Sequence, residues 1–512
     1  MYTAGRTEGI CKSTVRILWS DRRNVWLGLL ACLPIAILHF TGVQRSVGLG
    51  DSAELVVASY TLGVPHPTGY PIYTWVGKLF SLLPFGSIAF RLNLMSAVFA
   101  SLTIFLVFQI VVRELRHVSV ASGTDYLAGV AAIILVGLSR PLWHCAQAAE
   151  VYTLNVFCVV LFVWLYFTWL GTGKVKYLYS ASLVLGLSTG THLSNVLLVP
   201  PFLLVTFAVT RGWRICLLCC ALVLIGASQY LYLLLRVMQS PAYVHPQAQF
   251  FQHLEWTGTD NPVYNWLWFI TGGRWHGWSV RSTGELLRKA GELYTWVIED
   301  YGIAWLLFAV IGGVLYFSDR RNTKKVIILV SILVCQLVYF STYRLSLAGM
   351  ILPFFCCLSI LIGLGVGLLP RMIGKLVPTK RVRTSAMGAV ITVVVALLVI
   401  SCFSRPFIDH SGDRLSSMFF FRVAGGIPPG SVLDGLKWEQ KRVLDYYRLV
   451  EGYPIPFEVC QCDSETIAAG RCYILGRSET MEQYTSAGFA LSLHLTIDSN
   501  GSIPVFRVKR RE

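Results

Sequence analysis

A succession of apolar runs, each near the length that crosses a hydrocarbon layer, restricts this chain more than any other feature. The runs lie at 25–42, 92–112, 127–139, 151–170, 177–192, 195–210, 215–235, 302–317, 326–341, 347–369 and 385–402. By length they read as about 11 transmembrane helices, several of them short. Hydrophobic residues make up 55% of the chain and charged residues 14%, too little polar surface for a soluble domain of this size. The expected fold is an all-α polytopic membrane protein through residue 403.

Charge gives the orientation. If the start of the chain is cytoplasmic, the connections on that side carry Arg16, Arg22, Arg23, Arg113, Arg116, Lys174, Lys176, Arg211, Arg214, Arg320, Arg321, Lys324, Lys325, Arg371, Lys375, Lys380, Arg381 and Arg383. Each of these connections is basic, as positive-inside orientation requires. The formal net charge of +16 is thus a topology signal, and no nucleic-acid partner is expected. Basic residues before the first run, with no cleavage pattern, read as a retained signal anchor. The far side receives loops 43–91 and 236–301 and a tail from 404.

The first far-side loop holds the densest polar pattern. Asp51 and Glu54 are spaced to share one face of a helix. The same spacing also makes a capping box, with Asp51 as N-cap and Glu54 three residues on. The prolines of the following GVPHPTGYP (63–71) rigidify a turn that carries His66 and Tyr70. Residues 72–83 are too short to span and carry Tyr73, Trp75 and Lys78, which suits an interfacial helix.

From Gly50 to Ala97, GDSAELVVASYTLGVPHPTGYPIYTWVGKLFSLLPFGSIAFRLNLMSA resembles the signature of a GT-C glycosyltransferase family related to protein O-mannosyltransferases, whose animal member mannosylates plexin-type extracellular domains. Arg91 and Asn93 fit its F-R-x-N-L stretch, whereas Ala53, Val64 and Thr68 depart from it. The segment Pro141–Asn155 is similar to the family's W-x-x-A-x-x-A-E-V-Y-x-L-N pattern and places Glu150 at the far-side end of a span. A carboxylate there faces either a cavity or a partner such as Arg140 or Arg91. His192 with Asn195 corresponds more weakly, as does 256–278 with its tryptophans, Arg274 and His276; Arg344 is a further phosphate candidate. The tryptophans also fit an aromatic belt.

The resemblance implies a GT-C-like fold and an inverting transfer of a hexose, mannose first, from a polyprenyl-phosphate donor to a hydroxyl of a protein or glycan acceptor. On that reading Asp51 is the general base and Glu54 orients it or the sugar. His66, Tyr70, Arg91, Asn93, Glu150, His192, Arg274 and His276 form the substrate-binding set. Cationic groups there would stabilise the leaving phosphate. No cofactor and no metal are expected, although a carboxylate pair is compatible with a divalent ion. The alternative is a transporter or lipid flippase using the same carboxylates as ion sites, a class that places them near the bilayer midplane.

From 404 the composition turns mixed, with a strand-like SVLDG, helical patterns at 438–450 and 479–493, and the segments FEVCQ, RCYILG and a closing IPVFRV. This predicts a small extracytoplasmic α/β domain. Cys460, Cys462 and Cys472 allow one disulfide and one free thiol, and Asn500-Gly501-Ser502 fits an N-glycosylation acceptor. Either a bacterial inner membrane or the endoplasmic reticulum suits this topology.

Overall fold

Every expected apolar run forms a helix, because a backbone in hydrocarbon must satisfy its polar groups within its own segment. The computed structural model describes residues 22–118, 123–273, 280, 282–343, 348–404, 409–487, 489–499 and 501–510. Among these, nine helices are long and apolar enough to span, or ten if Gly123–Gly137 and Arg140–Gln147, bent by 64°, count as one. The chain is a multi-pass membrane protein.

The remaining run, expected at 177–192, is the 14-residue helix Val175–Ser188, too short for the length rule. It still carries the chain back across the bundle. The preceding helix Val151–Thr172 has 22 residues, so it leads about 33 Å away from Glu150. Yet the His192 ring lies 6.1 Å from that of Tyr152.

The most buried spans, Ile88–His117, Val151–Thr172 and Ala348–Leu376, form the centre. Lys380–Phe403 is mostly exposed and lies at the periphery. At the bundle end away from Glu150, the Lys325 ammonium lies 2.5 Å from Glu114, which also accepts from the Tyr316 hydroxyl at 2.7 Å. Arg371 meets Asp125 at 2.5 Å. Buried charges at this end are thus paired, as a low-dielectric setting demands.

The tail forms a four-stranded sheet in the order β1-β2-β4-β3. Its strands are β1 Val432–Asp434, β2 Cys472–Leu475, β3 Phe489–Ser499 and β4 Gly501–Arg510. β1 and β2 are parallel, and the other pairs are antiparallel. The expected helix to 493 ends earlier, at Ser478–Ser486, because Phe489 to Leu493 pair with Arg510 to Phe506 in the sheet. Cys462 and Cys472 form a disulfide, leaving Cys460 free and exposed. Asn500 lies outside the described residues.

The principal core of the tail is not its own. Val443, Leu444, Tyr446 and Tyr447 on helix Trp438–Leu449 pack in one cluster with Ala53, Val56 and Val57 from helix Asp51–Thr61. Burial of that shared apolar face anchors the tail to the first loop.

Candidate active site

Helix Asp51–Thr61 starts abruptly because Gly50 takes φ 70°, a left-handed conformation that glycine adopts without a Cβ penalty. The N-cap is therefore Gly50, and Asp51 is the first helical residue with no capping hydrogen bond from a side chain. That overturns the capping box. Asp51 and Glu54 share a face, as expected, but in unlike surroundings: the side chains are 34% and 0% exposed.

The proline-rich turn folds back over this helix and is clamped to the second long loop. Val64 donates its N–H to the Tyr243 carbonyl at 3.1 Å, and His245 donates to the Val64 carbonyl at 2.8 Å. A Cβ on Gly63 would meet the Tyr243 carbonyl oxygen at 2.3 Å, so only glycine fits this approach. The clamp sets His66 between two carboxylates. Its Nδ1 lies 2.5 Å from Glu54 Oε2 and its Nε2 lies 3.8 Å from Asp51 Oδ2. The second oxygen of Glu54 accepts from the Tyr243 hydroxyl at 2.5 Å.

Electrostatics divide the groups. Burial works against the His66 proton, but Asp51 and Glu54 beside it hold the imidazole up at about 9. Burial likewise opposes the charge on Glu54, yet His66 and the hydrogen bonds it receives bring it down to about 2. His245, 6.5 Å from His66 between ring centres, is pushed by burial down to about 4. At neutral pH His66 is thus a cation on an ionised Glu54, and His245 is neutral. Asp51 is raised, first by its enclosed position, then by Glu54 and Glu439, with His66 opposing.

Asp51 and His66 open onto a cavity of about 640 Å³ lined also by Thr68, Tyr70, Glu150, Tyr152, His192, Leu193, Thr271, Tyr339, Tyr343, Met350, Trp438 and Glu439. Segments far apart in sequence meet here: the first loop, the starts or ends of several spans, the second loop and the tail helix. Glu150 immediately precedes its span, and Oε2 is buried without a hydrogen-bond partner among the described residues. Burial, reinforced by Asp51 and opposed by His66, pushes its carboxyl up to about 8. Neither expected partner reaches it: Arg140 pairs with Glu299, and Arg91 is engaged elsewhere. A second cavity of about 460 Å³, lined by His144, Trp296, Glu299 and Asp300, meets the first at Glu150 and Tyr152.

His192 lines the main cavity with Nδ1 2.8 Å from the Ser194 hydroxyl, and burial lowers it to about 4. Tyr70 lines it too, its hydroxyl donating to the Pro67 carbonyl at 3.3 Å. Two expected residues are placed elsewhere. The Arg91 guanidinium donates to the carbonyls of Phe85, Ser81 and Gly86 at 2.6, 2.7 and 2.8 Å, so it staples the loop and has no free fork for a phosphate. Asn93 is fully buried, donating to the Gln44 and Ser46 carbonyls and accepting from the Ala149 N–H. It ties the first loop to the segment before Glu150. Arg274, His276 and Arg344 lie outside the described residues.

Sequence reasoning missed Tyr243, His245, Trp438 and Glu439. The AYVHP stretch at 242–246 carried a signal, since it repeats the pairing of His with Pro seen at 66–67. Trp438 and Glu439 open a tail helix and gave none.

Residues 51–214 match the family model described as "Protein O-mannosyl-transferase TMEM260 N-terminal domain". The chain is 38% identical over 122 residues to Protein O-mannosyl-transferase TMEM260 of Mus musculus, covering 24% of this chain and 16% of that protein. It is 26% identical over 196 residues to the Dictyostelium discoideum protein of the same description, covering 34% and 23%. The matched parts are thus under a quarter of those relatives' own length. The fold is similar to that of ArnT from Cupriavidus metallidurans bound to undecaprenyl phosphate, with TM-score 0.57, 13% identity and coverage of 94% and 97%. The apo form of the same protein gives 0.53, 14%, 93% and 97%.

Proposed function

We propose that the chain, similar over residues 51–214 to the protein O-mannosyl-transferase family model and in fold to ArnT, is a GT-C glycosyltransferase that transfers a hexose, mannose first, from a polyprenyl-phosphate donor to a hydroxyl on an extracytoplasmic protein or glycan. One observation carries the reading. Asp51 is a partly exposed carboxylate at the mouth of a cavity, held opposite a cationic His66 whose charge is fixed by the buried Glu54.

In the proposed reaction the acceptor oxygen attacks the anomeric carbon, and its proton passes to Asp51 as the new C–O bond forms. The bond from the anomeric carbon to the phosphate oxygen breaks on the opposite face, and the phosphate leaves with the electron pair, which inverts the configuration. The His66 cation, 3.8 Å from Asp51, favours the ionised carboxylate that takes the proton. Glu150, with an unpaired buried oxygen, is suited to hold a sugar hydroxyl. Leu193, Tyr339, Tyr343 and Met350 give the cavity an apolar and aromatic side that suits a lipid-linked donor. Arg274 and His276 remain proposed phosphate ligands. The scheme calls for no cofactor and no metal.

The basic residues at the opposite bundle end support a cytoplasmic assignment for that face. The tail disulfide suits an oxidising compartment such as a periplasm or the endoplasmic reticulum lumen.

The test is transfer by the purified full chain in nanodiscs, given labelled polyprenyl-phosphate hexoses with peptide and glycan acceptors. Label appearing in an acceptor, and absent with Asp51→Asn, is the expected result. Transport of a solute without transfer from any lipid donor would move the carboxylates to an ion-coupling role.

A further inference from the structure

A chain of three contacts runs from the tail to the catalytic loop. Arg442 Nη1 donates to the Tyr243 hydroxyl at 2.7 Å, that hydroxyl donates to Glu54 Oε1 at 2.5 Å, and Glu54 Oε2 holds His66 Nδ1 at 2.5 Å. Arg442 lies one turn after Trp438 on the same helix, and the Trp438 ring meets the edge of His66 at 6.0 Å and 84°. Asp445, one turn further, pairs with Arg442 at 2.9 Å and fixes its guanidinium. The helix thus touches His66 twice: directly through an aromatic ring, and through a relay of charge-assisted hydrogen bonds.

We propose that Arg442 is a positioning residue for the Glu54–His66 pair, so that the catalytic cavity is complete only when the tail helix is docked. The inference rests on the reading that His66 works as a cation in that cavity. The Tyr243 hydroxyl has one proton to give. With Arg442 donating into its lone pair, that proton is directed to Glu54, and the carboxylate is held where its other oxygen reaches His66. Without Arg442 the phenol loses its anchor and Glu54 its fixed geometry.

The groups that face His66 define what a shift in its titration means. They are Asp51 and Glu54 from the first-loop helix, Glu150 from the start of its span, and His245 from the second loop; from the tail, Glu439 acts through Asp51. Of these, only Glu54 is held through the Tyr243 hydroxyl. Loosening that carboxylate weakens its hold on the imidazolium, so His66 loses its proton at lower pH; this outweighs the opposite effect of losing the Arg442 cation, which stands beyond Tyr243 in the relay.

The measurement is the rate of carbethoxylation of His66 against pH in the full chain, mapped by peptide mass spectrometry, since only neutral imidazole reacts. Arg442→Met and Tyr243→Phe are each expected to lower the midpoint by about one pH unit. The double variant should go no further than the larger single change, because the two act in series. Arg442→Lys should restore part of the shift, and Arg422→Met, an exposed change on the same tail, should leave the midpoint alone. An Arg442→Met chain that binds and folds normally with an unchanged midpoint overturns the proposal, as does full additivity in the double variant. If Arg442→Met fails to fold, Tyr243→Phe and Arg442→Lys decide it on the same terms. Because the readout is labelling, it stands even if no sugar transfer is found; where transfer is found, the alkaline limb of kcat should move with the labelling midpoint.

Discussion

His66 Nδ1 lies 2.5 Å from a Glu54 oxygen that is sealed from solvent. A histidine whose folded value is raised binds its proton more tightly in the folded chain than in the unfolded one. Its contribution to stability is therefore complete below its ordinary 6.5 and lost as pH rises through about 9. Unfolding free energy should fall across that window by up to about 3 kcal/mol. Denaturation of the detergent-solubilised chain at a series of pH values checks this. Glu54→Gln should make the limb shallower, because it removes one of the two charges, Asp51 and Glu54, that raise His66.

Asp51 differs in being open to the cavity and meeting His66 only at 3.8 Å, beyond a direct hydrogen bond. Replacing it with Asn removes the base without emptying a packed site. Asp51→Asn should stay folded, with a shallower alkaline stability limb because Asp51 helps to hold the His66 proton, while kcat for hexose transfer drops about 10²- to 10⁴-fold. Equal activity in both chains would take Asp51 out of the base role.

Asn93 makes the opposite prediction. It joins the Gln44 and Ser46 carbonyls to the Ala149 N–H in a fully buried setting. Asn93→Ala leaves those groups unpaired, at a cost of about 2 to 4 kcal/mol. The variant should melt early and lose activity in proportion to the folded fraction, with the pH profile of kcat unchanged. Arg91→Met should behave in the same way, since its guanidinium only staples backbone.

The contrast between these residues marks what the sequence could convey. The membrane bundle was legible because hydrocarbon forces long apolar helices and the loop charges report their direction. The short helix Val175–Ser188 lay within that logic. The pairing of Asp51 and Glu54 was legible too, since helical spacing places them on one face. Their different surroundings were not, because the seal over Glu54 is made by His66 and Tyr243, the second of which lies 189 residues away. For the same reason Arg91 and Asn93 looked like ligands: side chains that cap backbone carbonyls and side chains that bind phosphate use the same donors. Glycine at 50 and 63 is explained only once a positive φ and a neighbouring carbonyl are seen. The tail's part in the cavity was invisible, since nothing in the local pattern around Trp438 says which surface the helix will meet.

Glu150 offers the last and sharpest titration. Its Oε2 is buried without a partner among the described residues, and its carboxyl is pushed up to about 8, chiefly by burial. An acid held above its ordinary 4.5 binds its proton more tightly in the folded chain, so it supports the fold at low pH and stops doing so as pH climbs through 8. Glu150→Gln keeps the shape and stays neutral, so the variant should be more stable than the parent at pH 9 by up to about 5 kcal/mol and equal to it near pH 4. Transfer should meanwhile fall by about tenfold, the usual scale of one neutral hydrogen bond to a substrate hydroxyl. The two readouts separate the roles of this residue. A stability difference that does not change with pH would mean that Glu150 is already ionised at neutrality, and its oxygen would then be a charged ligand in the cavity and no longer a neutral one.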